Sequence, residues 1–214
     1  MKNFIACLLL GALSQSVWAL DNADQQRLND IQQGWAHIQY EVPESQRVAA
    51  FEQLAIKTSS FTHDRPALAE AWIWSGIVTS SWAGAQGGLG ALGKVKDAKE
   101  DLEKALTLDP AALQGSAYTS LAALYDRVPG WPIGFGDADK AEQLLQKALQ
   151  LNPNGIDSLY FWGDHLYREQ RYTEARTALQ KALQAAPRQG RESADAGRRK
   201  EISARLADVN KKLN

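Results

Sequence analysis

Residues 97–110 read DAKEDLEKALTLDP, and that stretch decides the fold because it returns twice, as KAEQLLQKALQLNP at 140–153 and EARTALQKALQAAP at 174–187. The three copies align without a gap. Ala98, Ala141 and Ala175 share a column; so do Leu102, Leu145 and Leu179, then Ala105, Ala148 and Ala182, then Pro110, Pro153 and Pro187. Steps of four and three residues put each Ala-Leu-Ala set on one face of a helix. The small alanines let a second helix come close, and the leucine between them is the knob. The proline ends the helix, because it has no N–H and a fixed φ.

Working outward, Pro153 and Pro187 are 34 residues apart and Pro110 and Pro153 are 43 apart. The helix ahead of the last copy has a small residue of its own, Gly163, between Trp162 and Leu166. A 34-residue period with these columns resembles the tetratricopeptide repeat, a helix-turn-helix unit that stacks into a solenoid. The resemblance implies an all-α solenoid of about eight to ten helices, with repeats at 67–110, 111–153 and 156–189. Helix A of the first repeat is expected from Ala67 to about Ala83, with Trp72, Gly76 and Trp82, and that of the second from about Leu113 to Asp126. Both earlier repeats are longer than the last. The extra residues fall in the turn between the paired helices, as GAQGGLGALG (84–93) and VPGWPIGFG (128–136). These turns lie on the same edge one repeat apart, near enough that the two could touch. Residues 20–66 read as a degenerate first helix pair, from Leu28, Ile31, Trp35 and Ile38 and then Val48, Phe51 and Ala55 at helical spacing. Residues 190–214 read as a capping helix with Ile202, Leu206, Val209 and Leu213 on one stripe.

The start of the chain carries a different message. Lys2, the apolar run Phe4–Leu13 and the small-x-small exit Val17-Trp18-Ala19 read as a signal peptide, residues 1–19, cut after Ala19. The expected location is the periplasm. Cys7 is the single cysteine and falls inside that segment, so the remaining chain has no disulfide and no thiolate chemistry. With 24 basic and 25 acidic residues, the chain lacks the positive excess of a nucleic-acid binder. The charge is uneven, however. Residues 188–214 hold eight basic and four acidic groups, and residues 20–187 hold 15 and 21.

Motifs for chemistry are thin. Gly88-Leu89-Gly90-Ala91-Leu92-Gly93 spells G-x-G-x-x-G, but the segment before it reads as a helix, and a phosphate cradle needs a strand-to-helix turn. Asp164 and His165 are adjacent on a helix and point about 100° apart, which does not make an acid–base pair. The histidines at 37, 63 and 165 have no ligand spacing, so no metal and no cofactor are expected.

In the tetratricopeptide family helix A lines the concave groove. The resemblance therefore points to Glu70, Ile73 and Ile77, to Gln114, Ala117, Leu121 and Tyr125, and to Asp157, Tyr160, Asp164 and Tyr167 as groove residues for a protein or peptide partner. A second candidate surface is the uncharged loop 128–136, with Trp131, Ile133 and Phe135; such a loop either folds back on the body or marks an interaction site. The functional expectation is a periplasmic interaction module or scaffold in the envelope and not an enzyme. The alternatives are a ligand-binding accessory of an envelope transporter, with an apolar pocket beside the two insertions, and an envelope hydrolase built on Asp164-His165.

Overall fold

The computed structural model describes residues 20–214; the proposed signal segment lies outside the described residues. Nine α-helices account for most of this span: α1 (Asn22–Tyr40), α2 (Glu44–Asp64), α3 (Ala69–Gln86), α4 (Leu92–Leu108), α5 (Ser116–Arg127), α6 (Ala138–Leu151), α7 (Ile156–Arg168), α8 (Tyr172–Leu183) and α9 (Glu192–Leu213). Local chemistry sets several boundaries. The Asp21 and Asp137 carboxylates accept the N–H of Asp24 (2.8 Å) and Lys140 (2.9 Å), capping α1 and α6. Pro43 precedes α2, and Gly87 leaves α3 with φ +63°.

The first eight helices pair as expected, α1 with α2 and so on to α7 with α8, and each pair packs on the next. The odd-numbered helices also touch one another, α1 to α3, α3 to α5 and α5 to α7, and so form one inner layer. All nine residues of the three Ala-Leu-Ala columns are fully buried. Gly76 and Gly163 explain how closely the pairs approach. A Cβ on Gly76 would sit 2.6 Å from Leu102 Cγ, and a Cβ on Gly163 would sit 2.6 Å from Leu179 Cγ. Each glycine is the hole for the leucine knob of its partner helix.

Three sequence expectations are corrected. The segment 84–93 is not a long loop: α3 and α4 have 18 and 17 residues where α7 and α8 have 13 and 12. Lengthened helices absorb the extra residues, and only Gly87–Ala91 is left between them. The second repeat starts later than expected. Ala112–Gly115 forms a 3₁₀ turn with Leu113 and Gln114 at positive φ, and α5 begins only at Ser116. Gln114 is thus a turn residue and not part of helix A; its carbonyl accepts the Asn152 side-chain N–H at 3.0 Å.

The third difference concerns α9. It caps the last pair, burying Ile202 and Val209 beside α7 and α8. It also does more. At 22 residues it is roughly 33 Å long, and it reaches across the inner layer to α1. There Gly197 lies so closely under the Tyr40 ring that a Cβ would collide with it, and Ser193 donates to Glu41 at 2.6 Å.

Candidate functional site

The predicted groove residues lie on or beside the inner layer, and α9 packs over those of α7. Asp157, in the first turn of α7, pairs with Arg188 (2.7 Å) and Arg198 (2.7 Å). Asp164, two turns on, is held by Arg127 (3.1 Å), Arg168 (3.2 Å) and Arg205 (2.8 Å). Burial would raise the Asp157 carboxyl, but Arg198 and Arg188 outweigh it and hold it at about 2. Asp164 is lowered in the same way, its burial outweighed by Arg127, Arg168 and Arg205. Both carboxylates are ionised and already paired.

The aromatic groove residues are covered as well. The Arg198 guanidinium stands 4.4 Å from the Tyr160 ring centre and 4.8 Å from that of Phe161; Arg205 stands 4.6 Å from that of Tyr167. Arg191 stands 5.1 Å from the Trp74 ring on α3. Five residues expected to face a partner are buried instead: Ile73, Ala117 and Leu121 in the core, Tyr160 and Asp164 beneath α9. Glu70, Ile77, Tyr125, Asp157 and Tyr167 are half-buried. The arginines at 188, 191, 198 and 205 are the residues that sequence reasoning missed. Their one legible trace is the regular seven-residue step from Arg191 to Arg198 to Arg205 in a helix otherwise read as a solvated cap.

The loop 128–136 divides. Phe135 folds back, edge-on to Tyr125 with ring centres 5.4 Å apart and with Lys99 5.8 Å away. Trp131 and Ile133 do the opposite, at 91% and 58% exposed. The loop is fixed in shape. Gly136 N–H donates to Pro129 O (3.0 Å), Asp137 N–H to Tyr125 O (3.0 Å), and the N–H groups of Ile133 and Gly134 both donate to Gly130 O (3.2 Å). Side chains at Gly134 and Gly136 would collide with the Val128–Pro129 backbone, which is why the crossing needs glycine there. One repeat away, Leu89 in the Gly87–Ala91 turn is 81% exposed.

Asp164 and His165 do not converge on one site. Asp164 faces α9, whereas His165 Nδ1 lies 2.9 Å from Asp126 Oδ1 on α5 and its Nε2 lies 3.6 Å from Glu142 Oε2 on α6. Burial would lower the His165 pKa, but Asp126 and Glu142 raise it above its ordinary value. The ring stacks on Trp162 (5.7 Å), so it is a packed strut between α5, α6 and α7. Gly88 and Gly90 lie in a helix-to-helix turn and Gly93 in the first turn of α4, with no strand before them. No group of His, Cys, Asp and Glu suited to a metal occurs among the described residues. An open apolar recess of about 450 Å³ lies between α6, α7 and α8, lined by Leu149, Leu159 and Trp162; it is not the pocket expected beside the two insertions.

Comparison with known proteins agrees with this architecture. Tetratricopeptide repeat models match residues 133–196 and 89–111. A thermophilic TPR protein from Thermus thermophilus is similar in structure, with a TM-score of 0.58 at 18% identity over 88% of this chain and 90% of that one. MamA gives 0.47 at 18% identity over 91% and 96%. At 18% identity the likeness to the Thermus protein is one of fold alone. No curated protein matches the chain by sequence. Residues 89–111 and 133–196 thus carry tetratricopeptide repeats within a helical solenoid, an architecture that supports a protein-interaction module.

Proposed function

We propose that the protein is an exported interaction module of the cell envelope, and that it holds a protein partner through the 128–136 loop. The observation that carries this reading is Trp131. A large aromatic side chain stands 91% exposed at the tip of a loop whose backbone is tied down by its own hydrogen bonds. A loop backbone fixed before binding has little freedom left to lose, so only the tryptophan side chain itself must be ordered by a partner, and tryptophan is among the residues that most often become hot spots. Ile133 extends the apolar surface, and no charge interrupts it between Val128 and Gly136. Export rests on Lys2, the run Phe4–Leu13 and the exit Val17-Trp18-Ala19.

The test is site-specific photo-cross-linking in intact cells, with the probe replacing Trp131 and a control probe at the exposed Lys147. A discrete heavier adduct at position 131 alone is expected, formed in the periplasmic fraction. Equal adducts at both positions, or none at 131, would remove the loop as a docking surface.

A further inference from the structure

Taking the 128–136 loop as the docking surface, we propose that His165 is a pH-sensitive clasp at its base. The charged ring holds the loop in its binding shape, and the neutral ring lets it loosen. The loop leaves α5 after Arg127 and enters α6 at Ala138. Each of these stems carries a carboxylate, Asp126 in the last turn of α5 and Glu142 in the second turn of α6. His165 on α7 lies between them. It is fully buried, with Nδ1 2.9 Å from Asp126 Oδ1 and Nε2 3.6 Å from Glu142 Oε2. Asp126 adjoins Tyr125, whose carbonyl accepts the Asp137 N–H at 3.0 Å and whose ring packs on Phe135. The clasp therefore closes where the two ends of the loop meet.

Only the charged ring can serve both stems. An imidazolium has an N–H on each nitrogen, so it donates to Asp126 and attracts Glu142 together. A neutral imidazole has one N–H. Its other nitrogen then turns a lone pair toward a carboxylate, in a buried place where repulsion is little screened. The neighbouring cations do not switch in this way. Arg171 donates to Glu142 at 2.8 Å and to Glu174 at 2.7 Å. Its guanidinium stands 5.6 Å from the Trp162 ring on which His165 stacks. Arg127, beside Asp126, pairs with Asp164 at 3.1 Å. These two arginines tie α6 to the start of α8 and α5 to α7, and a guanidinium stays charged throughout the range in which histidine titrates. His165 instead reaches across both stems. Burial lowers its pKa, but Asp126 and Glu142 raise it further, above the ordinary 6.5. The clasp is thus closed below 6.5 and opens as pH climbs through the folded value.

The test is a spin label at Ile133→Cys, in a chain with Cys7→Ser so that the label meets a single thiol. Its mobility is followed by electron paramagnetic resonance between about pH 5 and about pH 9, with no partner present. A slow label at low pH and a fast one at high pH are expected, with a midpoint above 6.5. A control label at the exposed Lys147→Cys should not respond. His165→Gln should abolish the transition. Asp126→Asn, which removes one of the two attracting charges, should move the midpoint down by about one pH unit. Mobility at 133 that ignores pH, or a transition that survives His165→Gln, would overturn the proposal. If His165→Gln does not fold, an unmoved midpoint in Asp126→Asn overturns it instead. Photo-cross-linking at position 131 separates this device from the docking role. A label that responds to pH, with no adduct at any pH, would end the docking role and leave the clasp standing. Adducts that form at low pH and persist undiminished at high pH would keep the docking role and overturn the clasp.

Discussion

At the scale of single residues, two contacts show what each packed position does. Gly163 leaves room for Leu179, and a larger side chain there must push α7 and α8 apart. Gly163→Val is expected to destabilise the chain by about 1–3 kcal/mol in urea unfolding, the range for overpacking a tight core. His165 is a second case. Its folded pKa is raised, so its contribution is complete below the ordinary 6.5 and fades as pH climbs through the folded value. A His165→Gln chain should therefore fall short of wild type most clearly at pH 5–6, with the gap in Tm narrowing at pH 9. A gap that widened with pH would contradict the Asp126–His165–Glu142 arrangement. Trp131 is the opposite kind of residue. It touches little of its own chain, so Trp131→Ala should change stability by no more than about 0.5 kcal/mol while abolishing partner capture.

At the scale of elements, α9 is the one whose role its own pattern understates. Its mean character is polar, yet Ala194, Asp195, Gly197, Arg198, Ile202 and Val209 are buried. Much of what seats it is charge and π contact with α7 and α3. Asp157 ties that seat to acid. Its folded pKa of about 2 is below the usual 3.8, so the stability it gives is present above about pH 4 and lost as pH falls through 2. Comparing Asp157→Asn with wild type by thermal melting should show a deficit at pH 7 that closes near pH 2. The loop between α5 and α6 is the other informative element. Its lack of charge was legible in the sequence, but whether it folded back was not. Phe135 found Tyr125, and the tight crossing at Gly134 and Gly136 then left Trp131 pointing outward.

At the scale of the whole molecule, α9 changes how the repeats cooperate. A solenoid of nearest-neighbour pairs unfolds piecewise, because distant repeats do not touch. Here the last helix also touches the first, through Gly197 on Tyr40 and Ser193 on Glu41. Loosening α9 should thus be felt at α1. Ile202→Ala, at a fully buried position, is expected to cost about 2–5 kcal/mol. It should also speed amide exchange near Tyr40 on α1, as followed by hydrogen-exchange mass spectrometry. A purely linear stack would leave α1 exchange unchanged. The consequence for function is that the inner layer is closed by the chain's own helix and the outer edge, with Trp131 and Ile133, stays open.

The helix pairs, their register and their knobs were legible in the residues alone. A helix has a fixed period, so columns such as Ala98, Leu102 and Ala105 state which face must be buried before any partner is known. The residues also carried the glycine holes, for the same reason of local spacing. The folded chain alone shows where α9 lies, that Tyr160 and Asp164 sit beneath it, and that Trp131 is exposed while Phe135 is half-buried. Those outcomes depend on pairings between residues far apart in the chain, such as Arg205 with Asp164 and Gly197 with Tyr40. Such a pairing is chosen by charge, shape and the lengths of all the intervening helices together, and local periodicity holds no record of it.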